Sequence, residues 1–221
     1  MINFKRITIV SGHYGSGKTN IAVNYAMHLK ALGENVVVAD LDIVNPYFRT
    51  RDSLEDFEKA GIRLISSEFA SSNVDLPALP QDVYSILDNP TECAIMDIGG
   101  DDRGAYALGR YADSIKSENN YEMLCIFNKY RPLTPTAQDA AEIMAEIENA
   151  CHIKFTAIVN NSNLGGLTTA EDILSSVGET QRLSEITGLP VKMTSVRSDL
   201  VNNLNGKVEN LFPLTLQKKI V

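Results

Sequence analysis

Residues 12 to 19 read Gly12-His13-Tyr14-Gly15-Ser16-Gly17-Lys18-Thr19, a complete G-x-x-x-x-G-K-T pattern. Glycines at these positions let backbone N–H groups turn inward around an anion. A helix starting near Lys18 points its positive end at the same spot. Lys18 then reaches β- and γ-phosphates, the Thr19 hydroxyl suits Mg²⁺, and Asn20 follows as a further contact to the nucleotide. The chemistry implied is the binding of a nucleoside triphosphate with its metal ion.

Such a loop needs a strand before it and a helix after it. The β-branched run Ile7-Thr8-Ile9-Val10 precedes it. A helical pattern follows over about 18 to 32, with Ile21, Ala22, Tyr25, Ala26, Leu29 and Leu32 on one stripe and Gly33 as its stop.

In sheets of this kind ligands sit at the carboxyl ends of the strands, so the residues that follow each strand are the next candidates. After Val36-Val37-Val38-Ala39 come Asp40 and Asp42, two residues apart and on one face if the strand continues. One of them suits the attacking water or the Mg²⁺ water shell, and the other suits orienting the loop. After Cys93-Ala94-Ile95-Met96 comes Asp97, a Walker B position that holds Mg²⁺ through water. Asp97 and Gly100 also spell D-x-x-G, where the Gly100 N–H can meet a γ-phosphate.

Two further strand ends speak to the base. Asn128-Lys129-Tyr130-Arg131 approaches the N-K-x-D guanine motif, but its fourth residue is an arginine, which has no acceptor for guanine N–H groups. ATP is expected over GTP. Asn160 or Asn161 is the expected base reader, because an amide can both accept from and donate to adenine.

The 221 residues suit one domain, 1–221, with 44% hydrophobic and 22% charged residues. No apolar run approaches the ~18 residues of a membrane span. The start, Met1-Ile2-Asn3-Phe4-Lys5-Arg6, leads into a strand and not into a secretory signal. A net charge of −8 argues against a grip on nucleic acid or on anionic lipid. Cys93, Cys125 and Cys151 are widely spaced in apolar segments and read as buried reduced thiols, which points to the cytoplasm. Cys151-His152 reads as a helix end and not as a metal site.

Strand runs near 6–11, 36–40, 63–66, 93–98, 122–127, 154–160 and 191–195 alternate with helical runs. This predicts an α/β fold, a three-layer α/β/α sandwich with a mostly parallel central sheet of about seven strands. A second helix is expected over about 135–150, opened by Pro135 and lined by Ala137, Ala140, Ala141, Met144 and Ile147. Residues 66–80 read as a long surface loop.

The chain resembles the MinD/ParA/CobQ-like branch of P-loop ATPases, and within it a group of small ATP-binding proteins of the cytoplasm. The matching parts are residues 12–19, Asp40-Leu41-Asp42-Ile43-Val44-Asn45-Pro46, Asp97-Ile98-Gly99-Gly100, the stretch Pro132-Leu133-Thr134-Pro135-Thr136-Ala137-Gln138-Asp139-Ala140, and Asn160-Asn161. The resemblance implies Mg-ATP binding, ATP and ADP as ligands, and often a nucleotide-dependent homodimer. It aligns Asp42 with the acidic residue that aids water attack and Asp97 with the Walker B aspartate.

One departure stands out. MinD- and ParA-like loops read G-K-G-G-x-G-K-T, with a signature lysine second, whereas this chain has His13 and then Tyr14. An imidazole lacks the lysine's fixed charge. The leading expectation is a slow ATPase acting as a nucleotide-dependent switch. The alternatives are a non-catalytic nucleotide-binding protein that recruits a partner, or an ATP-dependent ligase or transferase on a small metabolite, like dethiobiotin synthetase or the cobyrinate amidating enzymes. A GTPase metallochaperone is disfavoured by Arg131 and by the missing Cys/His cluster. The last residues, 214–221, are too short and weakly amphipathic for a membrane-binding helix.

Overall fold

The computed structural model describes residues 3–41, 54–66, 83–99 and 102–216, the side chains of residues 54, 66, 102 and 103 excepted. The strands are β1 (Ile7–Ser11), β2 (Val36–Leu41), β3 (Arg63–Ser66), β4 (Cys93–Ile98), β5 (Tyr121–Phe127), β6 (Ala157–Asn160), β7 (Val191–Arg197) and β8 (Leu211–Leu214). They form one sheet in the order β3-β2-β4-β1-β5-β6-β7-β8, and each neighbouring pair is parallel. Among the described residues the sheet therefore has eight strands, where the sequence suggested about seven. The added strand β8 is Leu-Phe-Pro-Leu, and its proline fits only because β8 is the last strand of the sheet.

The helices are α1 (Lys18–Ala31), α2 (Leu54–Ala60), α3 (Val83–Asp88), α4 (Asp102–Gly109), α5 (Ala112–Glu118), α6 (Ala137–Cys151), α7 (Ala170–Thr187) and α8 (Val201–Leu204). Alternate residues of β2 show why helices cover both sheet faces. Val36 and Val38 pack with Ile21, Tyr25 and Leu29 of α1 and with Phe57 of α2. Val37, Ala39 and Leu41 pack on the other face, with Leu108 of α4, Ile115 of α5 and Met144 of α6. Every described residue of β1 is buried, as a strand covered on both faces requires.

Two helix readings need correction at their ends. Leu32 lies beyond α1 and is exposed, while Gly33 takes the left-handed conformation that stops the helix. Pro135 does not open α6. Thr136 caps it instead, accepting from the Asp139 N–H while the Asp139 carboxylate accepts from Thr136, a reciprocal box. Cys151 ends α6, and His152 adopts a left-handed cap conformation. The loop expected over 66–80 lies, beyond Ser66, outside the described residues.

Polar clusters pin the amino-terminal edge of the sheet. Glu122 accepts from the Thr8 hydroxyl at 3.0 Å and from the Tyr25 hydroxyl at 2.9 Å, and it pairs with Lys192. Arg6 pairs with Glu118 and donates to the carbonyls of Ile86, Asn89 and Glu92. No helix among the described residues is long and apolar enough to cross a membrane.

Candidate nucleotide-binding site

The strand order reverses at β1. The chain builds β2, β3 and β4 on one side of it, then crosses to β5 on the other. A crevice at the carboxyl ends of the strands forms at such a point. The glycine loop leaves β1 there and runs directly into α1.

The loop's shape follows from what surrounds it. At Gly12, φ is +140°, and a Cβ would stand 2.7 Å from the Ile126 carbonyl oxygen of β5. At Gly17, the residue before α1, φ is +92°, and a Cβ would stand 2.3 Å from the Asn161 side-chain nitrogen. Only glycine satisfies both the conformation and the space. The Ser16 N–H donates to the His13 carbonyl at 3.1 Å, which closes the turn.

Lys18 and Thr19 open α1 and are buried, and the Lys18 ammonium lies 3.4 Å from the His13 carbonyl. Tyr14 is exposed, at 58%. His13 is half-buried and its Nδ1 faces the Tyr14 carbonyl at 2.9 Å, a contact that requires a hydrogen on Nδ1. Asn20 accepts at its backbone carbonyl from the Asn24 amide at 2.8 Å.

The two described carboxylates of the site are cross-strand neighbours. Asp40 of β2 and Asp97 of β4 are register partners. Each stands two residues beyond one packed beneath α1 (Val38 for Asp40, Ile95 for Asp97), so both belong to the sheet face that α1 covers. Asp97 is 1% exposed and Asp40 is half-buried. Asp42 and Gly100, both expected at the site, lie outside the described residues. The donors here are carboxylate and hydroxyl oxygens, which suit a hard cation such as Mg²⁺. Among the described residues no cluster of His, Cys and carboxylate suits a transition metal.

Asn160 and Asn161 have internal partners in place of an open edge. The Asn160 amide donates to the Ser176 hydroxyl at 2.8 Å and its oxygen accepts from the Ser162 N–H at 3.1 Å. The Asn161 amide donates to the Ser16 carbonyl at 2.6 Å, and its oxygen accepts from the Ser195 hydroxyl at 2.5 Å. Both asparagines are buried. The sequence marked Asn160 or Asn161 for the base; in the fold the Asn161 side chain holds the glycine loop against β6 and β7. Beside it a cavity is lined by Asn161, Asn163, Thr168, Arg197, Leu214 and Leu216.

Cys125 lies on β5 beneath the loop, fully enclosed, and burial pushes its thiol up to about 12, with Glu148 adding to the rise and Lys18 opposing it. It is a packing residue and not a nucleophile.

The CobQ/CobB/MinD/ParA nucleotide binding domain matches residues 7–183. No curated protein is detectably similar in sequence. Among solved structures, the cell division protein FtsY from Thermotoga maritima is similar, with TM-score 0.59 and 21% identity over 86% of this chain and 60% of that one. A nucleotide-binding protein from Archaeoglobus fulgidus in complex with ADP gives TM-score 0.53 and 15% identity, covering 90% of this chain and 84% of that one. The signal recognition particle 54 kDa protein from Aeropyrum pernix, in complex with GDP, gives TM-score 0.52 and 16% identity over 88% of this chain and 41% of that one. The chain thus spans about three fifths of the FtsY chain, and at these identities the likeness is one of fold. A family model that covers most of the chain, on a parallel sheet with flanking helices and a glycine loop at its switch point, places this protein in the CobQ/CobB/MinD/ParA nucleotide binding domain family.

Proposed function

We propose that this protein binds Mg-ATP in the glycine loop, hydrolyses it slowly and acts as a cytoplasmic nucleotide-dependent switch. One observation carries the reading: a loop of left-handed glycines delivers Lys18 and Thr19 to the end of the sheet where Asp40 and Asp97 stand side by side. Backbone N–H groups and Lys18 would hold the phosphates. Thr19 and Asp97 would hold Mg²⁺, with Asp40 beside them. Bound there, Mg²⁺ offsets phosphate charge. Asp42 is the proposed carboxylate for the attacking water.

ATP is favoured over GTP because the residues after β5 offer guanine no acceptor. Lys129 donates to the Ser175 carbonyl at 2.8 Å, the Tyr130 hydroxyl donates to the Asp172 carbonyl at 2.9 Å, and Arg131 stands where a carboxylate would be needed. The cavity beside Asn161 is the proposed base pocket. The fold neighbours carry ADP in one case and GDP in another, so they leave the base to these local arguments. Slow turnover follows from His13, whose Nδ1 hydrogen is spent on the Tyr14 carbonyl and which brings no fixed charge to a phosphoryl group.

Calorimetry of the purified protein with ATP and GTP, with and without Mg²⁺, tests the binding, and phosphate release tests the turnover. Tight ATP binding that Lys18→Ala abolishes in a folded protein is the expected result. Unchanged binding in that variant overturns the loop assignment, and tighter GTP binding overturns the choice of base. Turnover that starts only when a small metabolite is added would replace the switch with a ligase or transferase.

A further inference from the structure

Four residues leave β5 together, and three of them are tied down away from the glycine loop. Asn128 accepts from the N–H groups of Tyr130 at 3.0 Å and Asn163 at 3.3 Å. Lys129 and Tyr130 bond to α7, as described above. Arg131 turns the other way. Its Cζ and Nε each lie 3.5 Å, and its Cδ 3.7 Å, from the point where a Cβ on Gly15 would stand. The guanidinium therefore rests against the middle of the glycine loop.

Nothing in the described structure neutralises it. Arg131 takes part in none of the ion pairs among the described residues. Its Nε is buried and makes no hydrogen bond. A buried guanidinium donor without a partner is unfavourable, so a cation is kept in this position at a cost. The glycine loop beside it also lacks charge. His13 has its Nδ1 engaged with the Tyr14 carbonyl, which leaves Lys18 as the fixed cation of residues 12–19.

We propose that Arg131 is a second phosphate-binding residue, which brings to the nucleotide in cis a positive charge that residues 12–19 do not supply. The inference rests on the reading of residues 12–19 as the phosphate site. A guanidinium is fully charged, and its planar fork matches two phosphate oxygens at once, whereas Lys18 is a point charge. The two cations reach the loop from different strands, Lys18 by way of β1 and Arg131 from β5. Binding an anion would also give the Arg131 side chain the counter-charge it lacks.

The test compares AMP, ADP and ATP on wild type, Arg131→Gln and Arg131→Lys, with each variant's melting temperature measured alongside. Arg131→Gln should weaken ATP by about tenfold or more, ADP by less and AMP least. Arg131→Lys should recover part of the loss, and the salt dependence of ATP binding should be shallower in Arg131→Gln. A loss of equal size for all three nucleotides would mean that Arg131 stacks on the base or merely shapes the loop, and would overturn the proposal. So would unchanged affinities in a folded Arg131→Gln protein. Lys18→Ala keeps the two readings apart: if wild type and Lys18→Ala bind ATP alike, the phosphate loop itself is wrong, whereas a Lys18→Ala loss with no Arg131→Gln effect refutes Arg131 alone.

Discussion

The Asn161 side-chain amide donates to the Ser16 carbonyl over 2.6 Å, bridging 145 residues of sequence to hold the glycine loop from the β6 side. Ser195 of β7 fixes the same side chain from behind. Asn161→Ala leaves the Ser16 carbonyl without this donor, a loss of about 1–3 kcal/mol. The expected outcome is a lower melting temperature and an equal weakening of ATP, ADP and GTP, since a positioning residue acts on the loop and not on one base. A loss confined to adenine nucleotides, read by calorimetry, would return Asn161 to base recognition.

Gly17→Ala and Gly178→Ala should move stability in opposite directions. At Gly17 a methyl group would meet the Asn161 nitrogen at 2.3 Å and the residue would have to hold φ +92°. A cost of about 1–3 kcal/mol and a loss of nucleotide affinity are expected. Gly178 lies inside α7 with no atom within 4 Å of an added Cβ, so alanine there should stabilise by ~0.5–1 kcal/mol. Urea unfolding of both variants gives the comparison.

Asp97→Asn should uncouple the nucleotide from its metal. Asp97 is buried beside Asp40 on the face that α1 covers, and Thr19 lies in the first turn of that helix. Affinity for ATP in the presence of Mg²⁺ should fall by about tenfold or more, while affinity in excess chelator stays near wild type. Equal loss under both conditions would place Asp97 in the loop's scaffold and not at the metal.

Lys192→Met should destabilise the protein without touching the site. Lys192 pairs with buried Glu122 at the amino-terminal edge of the sheet, opposite the glycine loop. Removing it strands a carboxylate, at a cost of about 3 kcal/mol. Chemical denaturation should show that loss, and ATP affinity measured well below the transition should be unchanged.

Alkaline pH should unfold the chain through two buried neutral groups. Burial, then the neighbouring Glu122, raises the Tyr25 hydroxyl far above its ordinary 10.0, and burial raises the Cys125 thiol from 9.0 to about 12. Because the folded values are raised, the unfolded chain loses these protons first. The stability they confer is whole below pH 9.0 and is lost as pH rises toward about 12. Denaturation midpoints from about pH 8 to about pH 11 should fall, and Tyr25→Phe should flatten the upper part of the decline.

The sequence alone determined the parts of this protein that depend on neighbours along the chain. The glycine spacing from Gly12 to Lys18 specifies a turn of left-handed residues, and the apolar runs around it specify strand and helix. Asp40 and Asp97 each follow an apolar strand, so their place at a strand end was legible. That they stand side by side was not, because β2 and β4 become neighbours only once β3 is sent to the edge of the sheet. Tertiary structure also gave the Asn161 amide its partner, since an amide at a strand end looks the same in sequence whether or not it meets the Ser16 carbonyl. It added β8, a four-residue run around a proline that only an edge position permits. It set the direction of Arg131 too: α7 offers carbonyls to Lys129 and Tyr130, and the arginine is left to lean on Gly15. Each of these outcomes depends on which strands lie side by side, and the sheet order alone decides that.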